Sequence, residues 1–350
     1  MDLFILIFAL LVVWKMQPTK FNKDYISITT GKALRGIFAI VVIFHHLAQY
    51  TVGGHFFRYF ENVGYMAVGV FLFFSGYGLQ KKYDSDPSYK DGFLLKRIPS
   101  VLIPYLAATI VYWGGYAVAG ASSSVTYLLT SIFSDHTMVV NGWYIMNILA
   151  FYVFFYFLML VCKRKKGLMV AGGVLFAFLW AFFCIKMDLG IWWYNATLSI
   201  GLGMFWAAYE EKILEVIEKR TTGFLLLSTA AFLVFFHIFA KLGGLLLGFY
   251  VPMERVISIF FIFMVLGFSM KFKVGNKVLY FVGDISYELY LIHGLWIYWF
   301  RHDFAYIENE MVLMVMVFAG SIISAVVLHK ISGMLLSDYK KAMKRWTSRN

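Results

Sequence analysis

Ten apolar runs, each about as long as a bilayer-crossing helix and separated by short polar gaps, limit this chain more than any other feature. They lie at about 33–52, 63–80, 100–120, 142–162, 168–186, 191–208, 223–240, 254–270, 281–300 and 311–333. Hydrocarbon offers no partner for backbone N–H and C=O groups, so spans of this length are helices. The expected fold is therefore all-α, a polytopic transmembrane bundle of about ten spans. With 61% hydrophobic and only 14% charged residues in 350, little remains for a separate soluble domain. Ahead of the first span, Leu3 to Trp14 is apolar but short. It suits a short tilted span, an interfacial helix or a signal h-region; no small-residue cleavage site follows, which favours a retained anchor.

The 31 lysines and arginines fix an orientation. If Lys15 to Arg35 is cytosolic, only Arg58, Lys186, Lys241, Arg255 and Arg301 fall in outer segments, with Lys330 inside the last span. Every other basic residue falls in an inner segment, as the positive-inside rule requires of a multi-pass plasma-membrane protein. The net charge of +12 thereby reflects topology, and a nucleic-acid surface, which would need those charges gathered on one face, is not expected. "KRKK" at 163–166 reads as an inner-face anchor. Cys162 and Cys184 both sit in apolar stretches and suggest packing rather than redox chemistry.

The first span, "LRGIFAIVVIFHHL" at 34–47, nevertheless carries three ionisable groups. Such groups cost about 2.5–3.5 kcal/mol for arginine at a helix centre and usually face a bundle interior or a wet cavity. From Arg35 to His46 is 11 residues, roughly 1100° of rotation and about 16 Å of rise, so both fall on one face. His45 points about 80° away, which suits a supporting or packing role. An arginine near the cytosol can hold phosphate through its forked N–H groups. A buried neutral imidazole can take a hydroxyl proton. On this reading Arg35 and His46 line one enclosed, water-accessible passage that a stretched acyl-CoA could bridge. Snorkelling for Arg35 and internal hydrogen bonding for His46 are the plainer alternatives.

This stretch resembles the Arg-Gly to His pattern of the acyltransferase 3 family of integral membrane acyltransferases. Four further segments follow in the family's order: "FLFFSGYGL" (71–79), "LLKRIPSVLIPYL" (94–106, a basic inner loop entering a proline-containing helix), "NGWYIMNILAFY" (141–152) and "FVGDISYELYLIH" (281–293). The resemblance covers 34–293 and implies a membrane domain at 33–335, preceded by an anchor and cytosolic linker (1–32) and followed by a basic tail (336–350). It implies an O-acyltransferase that takes an acyl, most often acetyl, group from cytosolic acyl-CoA to a hydroxyl of a cell-surface or lipid-linked carbohydrate. No permanently bound cofactor is implied. His46 would be the general base or a transient acyl carrier, with Arg35, Arg97, Lys96 and Ser75 toward the donor. Trp143, Tyr290, His293 and His45 would lie toward the acceptor. Ser100 stands where many members carry a second arginine, leaving Lys96 to share the charge with Arg97.

Plainer readings accompany these residues. Ser75 and Gly76 suit close helix packing as well as an acyl channel; Trp143 suits an interfacial aromatic belt as well as substrate stacking. Tyr290 and His293, three residues apart on one helix face, suit internal hydrogen bonding as well as substrate contact. Glu61, Asp135, His136, His302 and Asp303 suit a solvated outer surface or a sugar site. The eight histidines show no HExxH-type spacing, so metal chemistry is not expected. A secondary transporter using Arg35 and His46 as substrate and proton sites is the rival reading, and glycine-rich "GLGMFWAAYE" and "KLGGLLLGFY" are compatible with it. A non-catalytic scaffold would not require an arginine and a histidine on one buried face.

Overall fold

The computed structural model describes residues 1–121, 124–242, 250–302 and 305–347. Asp303 and the glycines of "KLGGLLLGFY" lie outside them. Thirteen α-helices make up the described chain: α1 (Asp2–Val13), α2 (Ile28–Ala48), α3 (Gly64–Ser85), α4 (Phe93–Val118), α5 (Val125–Thr130), α6 (Trp143–Val161) and α7 (Lys166–Lys186). They continue with α8 (Leu198–Ile217), α9 (Thr221–Leu242), α10 (Tyr250–Lys271), α11 (Lys277–Asp284), α12 (Ser286–Arg301) and α13 (Glu310–Thr347). A two-residue antiparallel pair, Gln17–Pro18 with Phe272–Lys273, is the only sheet among the described residues. The molecule is thus the all-α polytopic bundle expected from its apolar runs.

Nine of the ten expected spans coincide with single helices, and the tenth is broken. Among the described residues seven runs are long and apolar enough to cross a bilayer, one of them Ile191–Leu242, which contains both α8 and α9. The chain turns between these two through a kink at Tyr209 within α8 and a 3-10 turn at Glu218–Arg220, and the tilted rings of Trp206 and Phe224 lie 6.4 Å apart. The expected span at 281–300 is two helices meeting at Ile285. Gly283, Asp284 and Ser286 are the residues that end and start helices, and the Ser286 hydroxyl donates to the Gly283 carbonyl at 2.9 Å. Helix α2 begins five residues before the apolar run because Ser27 caps it, its hydroxyl accepting from the Thr30 N–H at 3.2 Å.

Side-chain ties define the two ends. At one, called inner here, Lys81 pairs with Glu210, Lys166 donates to the Ala208 carbonyl and Lys32 pairs with Asp284 at 2.6 Å. At the other, the outer end, Asp2 accepts from the N–H groups of His55, Phe56 and Phe57, and Glu310 from those of Val52 and Gly53. Helix α1 runs between them, since the Leu11 and Trp14 carbonyls accept from Asn276 beside α11. It is a 12-residue apolar helix packed on the bundle. Helix α13 continues unbroken through residue 335, where a tail was expected to begin, and Tyr339 donates to the Leu95 carbonyl of α4.

In lipid, helices gain little from burying apolar surface against each other, and close backbone approach through small residues takes over. Two such approaches set the site. Gly36 of α2 lies against the Leu279 carbonyl of α11, and Gly283 of α11 against the Lys32 carbonyl of α2; a methyl group at either would overlap backbone. The glycine after Arg35 and the glycine of "GDIS" thus hold α11 on α2. Likewise Gly76 of α3 meets the Ile200 carbonyl and Gly203 of α8 the Phe73 carbonyl. Gly76 is a packing residue.

Candidate active site

The break at Ile285 turns α12 back along α2, and this brings two of the expected residues into contact. His293 of α12, fully buried, places Nε2 3.1 Å from Nδ1 of His46. Hydrogen positions follow from the partners. Nδ1 of His293 lies 3.0 Å from the Leu289 carbonyl and Nδ1 of His46 lies 2.9 Å from the Val42 carbonyl. Carbonyls only accept, so in each neutral ring Nδ1 carries the hydrogen. Nε2 of His293 is then an acceptor, shared by Nδ1–H of His46 and by the Asn141 amide at 3.3 Å. That leaves Nε2 of His46 with its lone pair and with no partner among the described residues. The arrangement is a base whose tautomer and ring orientation are fixed by its neighbours.

His46 lines an outer chamber of about 620 Å³. Trp143, at the first turn of α6, shares this wall with Tyr65, Trp192, Asn195 and Glu254. His45 also reaches it, 4.7 Å from the His46 ring, with Nδ1 donating to the Phe60 carbonyl at 3.1 Å. Its imidazole lies flat against Gly64, where no larger residue fits without moving the ring. This matches the supporting position expected from its rotation around α2.

Arg35 lines a second, inner chamber of about 300 Å³, together with Arg97, Ser75, Tyr144 and Ser286. Among the described residues no carboxylate lies within ion-pair range of either arginine. Arg97 instead donates to the Tyr89 hydroxyl from Nε at 3.0 Å and from Nη2 at 2.5 Å. Ser286 and Tyr287 of the chamber wall open α12, whose first N–H groups have no acceptor within the helix. Two guanidiniums and a helix start, with Asp284 acting on Arg35 from beyond ion-pair range, give this chamber a positive character. Ser75 lines it as well, its hydroxyl donating to the Phe71 carbonyl at 3.0 Å.

Two expectations change. Arg35 and His46 line two adjoining chambers rather than the same one, and Tyr290 is in the lining of both. Tyr290 is held there because its hydroxyl donates to the Asn141 carbonyl at 3.2 Å and its ring packs 5.2 Å from Tyr144. Lys96 is also elsewhere: it is exposed, with Nζ toward the Asp91 carbonyl. The cause is that α4 begins at Phe93, so Lys96 and Arg97 lie on a helix, about 100° apart, rather than in a loop from which both could turn inward.

Of the outer polar residues, Glu61 lines the outer chamber, Asp135 and His136 pair with each other in an exposed loop, and His302 is exposed. Several chamber residues escaped the sequence reading, among them Tyr65, Asn195 and Glu254. Glu254 had a signal, a carboxylate inside an apolar span, which is the same anomaly that marks Arg35 and His46. Asn195 had none, since its position depends on the loop between α7 and α8. That loop is pinned where the Trp193 carbonyl accepts from Trp180 and Asn147.

Compared with known families, residues 32–330 match the acyltransferase 3 family model, described as an acyltransferase domain. No curated protein and no solved structure matches the chain.

Proposed function

The chain belongs to the acyltransferase 3 family, and from that premise we propose that it moves an acyl group, most simply acetyl, from cytosolic acyl-CoA to a hydroxyl presented on the outer side of the membrane, with His46 as general base. The observation that carries this reading is the pairing of unlike chambers across Tyr290: arginines on one side, an oriented imidazole with a free Nε2 on the other. Phosphates of the donor would meet Arg35 and Arg97, where charge-assisted bonds are strongest. The thioester would extend toward Tyr290. At the outer face, Nε2 of His46 takes the proton as the acceptor oxygen attacks the thioester carbonyl. The Val42 carbonyl and Nε2 of His293 stabilise the imidazolium that forms, through its Nδ1–H. Collapse of the tetrahedral adduct breaks the C–S bond, and the proton leaves with the thiolate as free CoA. The acceptor is a carbohydrate of the cell surface or a lipid-linked precursor, and the basic loops lie in the cytosol at the plasma membrane.

Incubating membranes with radiolabelled acetyl-CoA tests this. The expected result is label on envelope carbohydrate, reduced about 10²- to 10⁴-fold by His46→Ala at equal protein level. Proton-coupled solute flux without label transfer would instead favour a transporter.

A further inference from the structure

The outer chamber carries chemistry that the transfer step does not use. Its wall holds two carboxylates, Glu61 and Glu254, and no lysine or arginine among the described residues. Glu254 is 5% exposed, and its Oε2 accepts from the Asn195 amide at 3.2 Å. Asn195 is equally buried, and no donor among the described residues reaches its Oδ1. The Tyr65 hydroxyl, on the same wall, is likewise buried without a partner. Buried polar atoms ordinarily find partners, so an acceptor oxygen left open beside a chamber marks a place where a ligand hydrogen belongs. Around it stand the rings of Trp143, Trp192 and Tyr250, flat apolar surfaces suited to the C–H face of a ring.

Resting on the acyl-transfer reading, we propose that Glu254 and Asn195 form the specificity site for the acceptor, binding an uncharged, hydroxyl-rich ring and rejecting one that bears a carboxylate or phosphate. A sugar hydroxyl donates to Asn195 Oδ1 or to the Glu254 carboxylate, the Tyr65 hydroxyl donates to a sugar oxygen, and the aromatic rings stack on its face. An anionic ring meets carboxylates with no lysine or arginine in the chamber wall to offset them, and specificity comes from that repulsion as well as from the fitted bonds. Nothing at this site would hold the donor, whose phosphates need the opposite charge.

The test uses the full-length protein in detergent with two matched probes, 4-nitrophenyl β-D-glucopyranoside and its anionic counterpart 4-nitrophenyl β-D-glucuronide. Binding is read by quenching of tryptophan fluorescence and transfer by radiolabel from acetyl-CoA. The wild type is expected to bind the neutral probe at least about tenfold more tightly than the anionic one, and Glu254→Gln to reduce that ratio to about threefold or less. Asn195→Ala weakens the neutral probe alone. Equal affinity of the wild type for both probes would overturn the proposal without recourse to any variant, as would an unchanged ratio in a folded Glu254→Gln protein. Saturable, Glu254-dependent binding without label transfer would keep this site and overturn acyl transfer; transfer without probe selectivity would do the reverse.

Discussion

The two chambers differ in almost every chemical respect, although α2 and α12 contribute to both. The inner one is cationic, with Arg35 and Arg97 lacking carboxylate partners and a helix start in its wall. The outer one is acidic and contains the imidazole pair, while both are lined by aromatic rings. Arginine and histidine on one helix face lie three turns apart, and the two chambers they line, of opposite charge character, adjoin at Tyr290. On the proposed reading, the inner chamber takes the anionic donor, the outer one the hydroxylic acceptor, and the two meet at Tyr290.

That contrast can be broken at either chamber. On the inner side, charge-assisted bonds contribute about 1.5–3 kcal/mol, so Arg35→Ala should raise the KM for acetyl-CoA by about 10- to 100-fold in a radiolabel assay. Arg35→Lys should recover only part of this, because a point charge lacks the fork. A KM rise for the acceptor instead would exchange the roles of the chambers. On the outer side, His293→Phe keeps a ring but removes the acceptor of His46 Nδ1–H. The expected result is a kcat loss of roughly tenfold to a hundredfold with little change in donor KM, smaller than the loss of the base itself.

Tyr290 tests the wall between them. Tyr290→Ala should join the chambers, admit water to the thioester and raise acceptor-free hydrolysis of acetyl-CoA by about threefold or more, measured as thiol release. No increase would mean that the partition lies elsewhere. The smallest effect is expected of Lys96→Ala, which should leave donor KM within about twofold because an exposed lysine away from the chamber contributes less than about 0.5 kcal/mol. A tenfold rise would place it in the donor site after all.

Much of this architecture is legible in the sequence because length and apolarity are strong signals in a membrane chain: nine of the expected runs are helices, and the family motifs fall where the chambers are. What was not legible depends on three-dimensional turns. The run at 281–300 is apolar over most of its length, and only Gly283, Asp284 and Ser286 mark the break that brings His293 to His46. The proximity of Tyr290 to both chambers follows from that break and from the Asn141 carbonyl, which lies almost 150 residues upstream. Lys96 was misplaced for a local reason, the continuation of α4 past its prolines to Phe93. Glu254 was legible and overlooked.

The two-sided arrangement is tested most directly in sealed vesicles containing the purified protein in one orientation. Radiolabelled acetyl-CoA is confined to the side bearing the basic loops and a neutral glycoside acceptor to the other, neither being able to cross the lipid. Label appearing on the acceptor in its own compartment, and none when the two compartments' contents are exchanged, is the predicted result. Transfer only when both substrates share one side would contradict it.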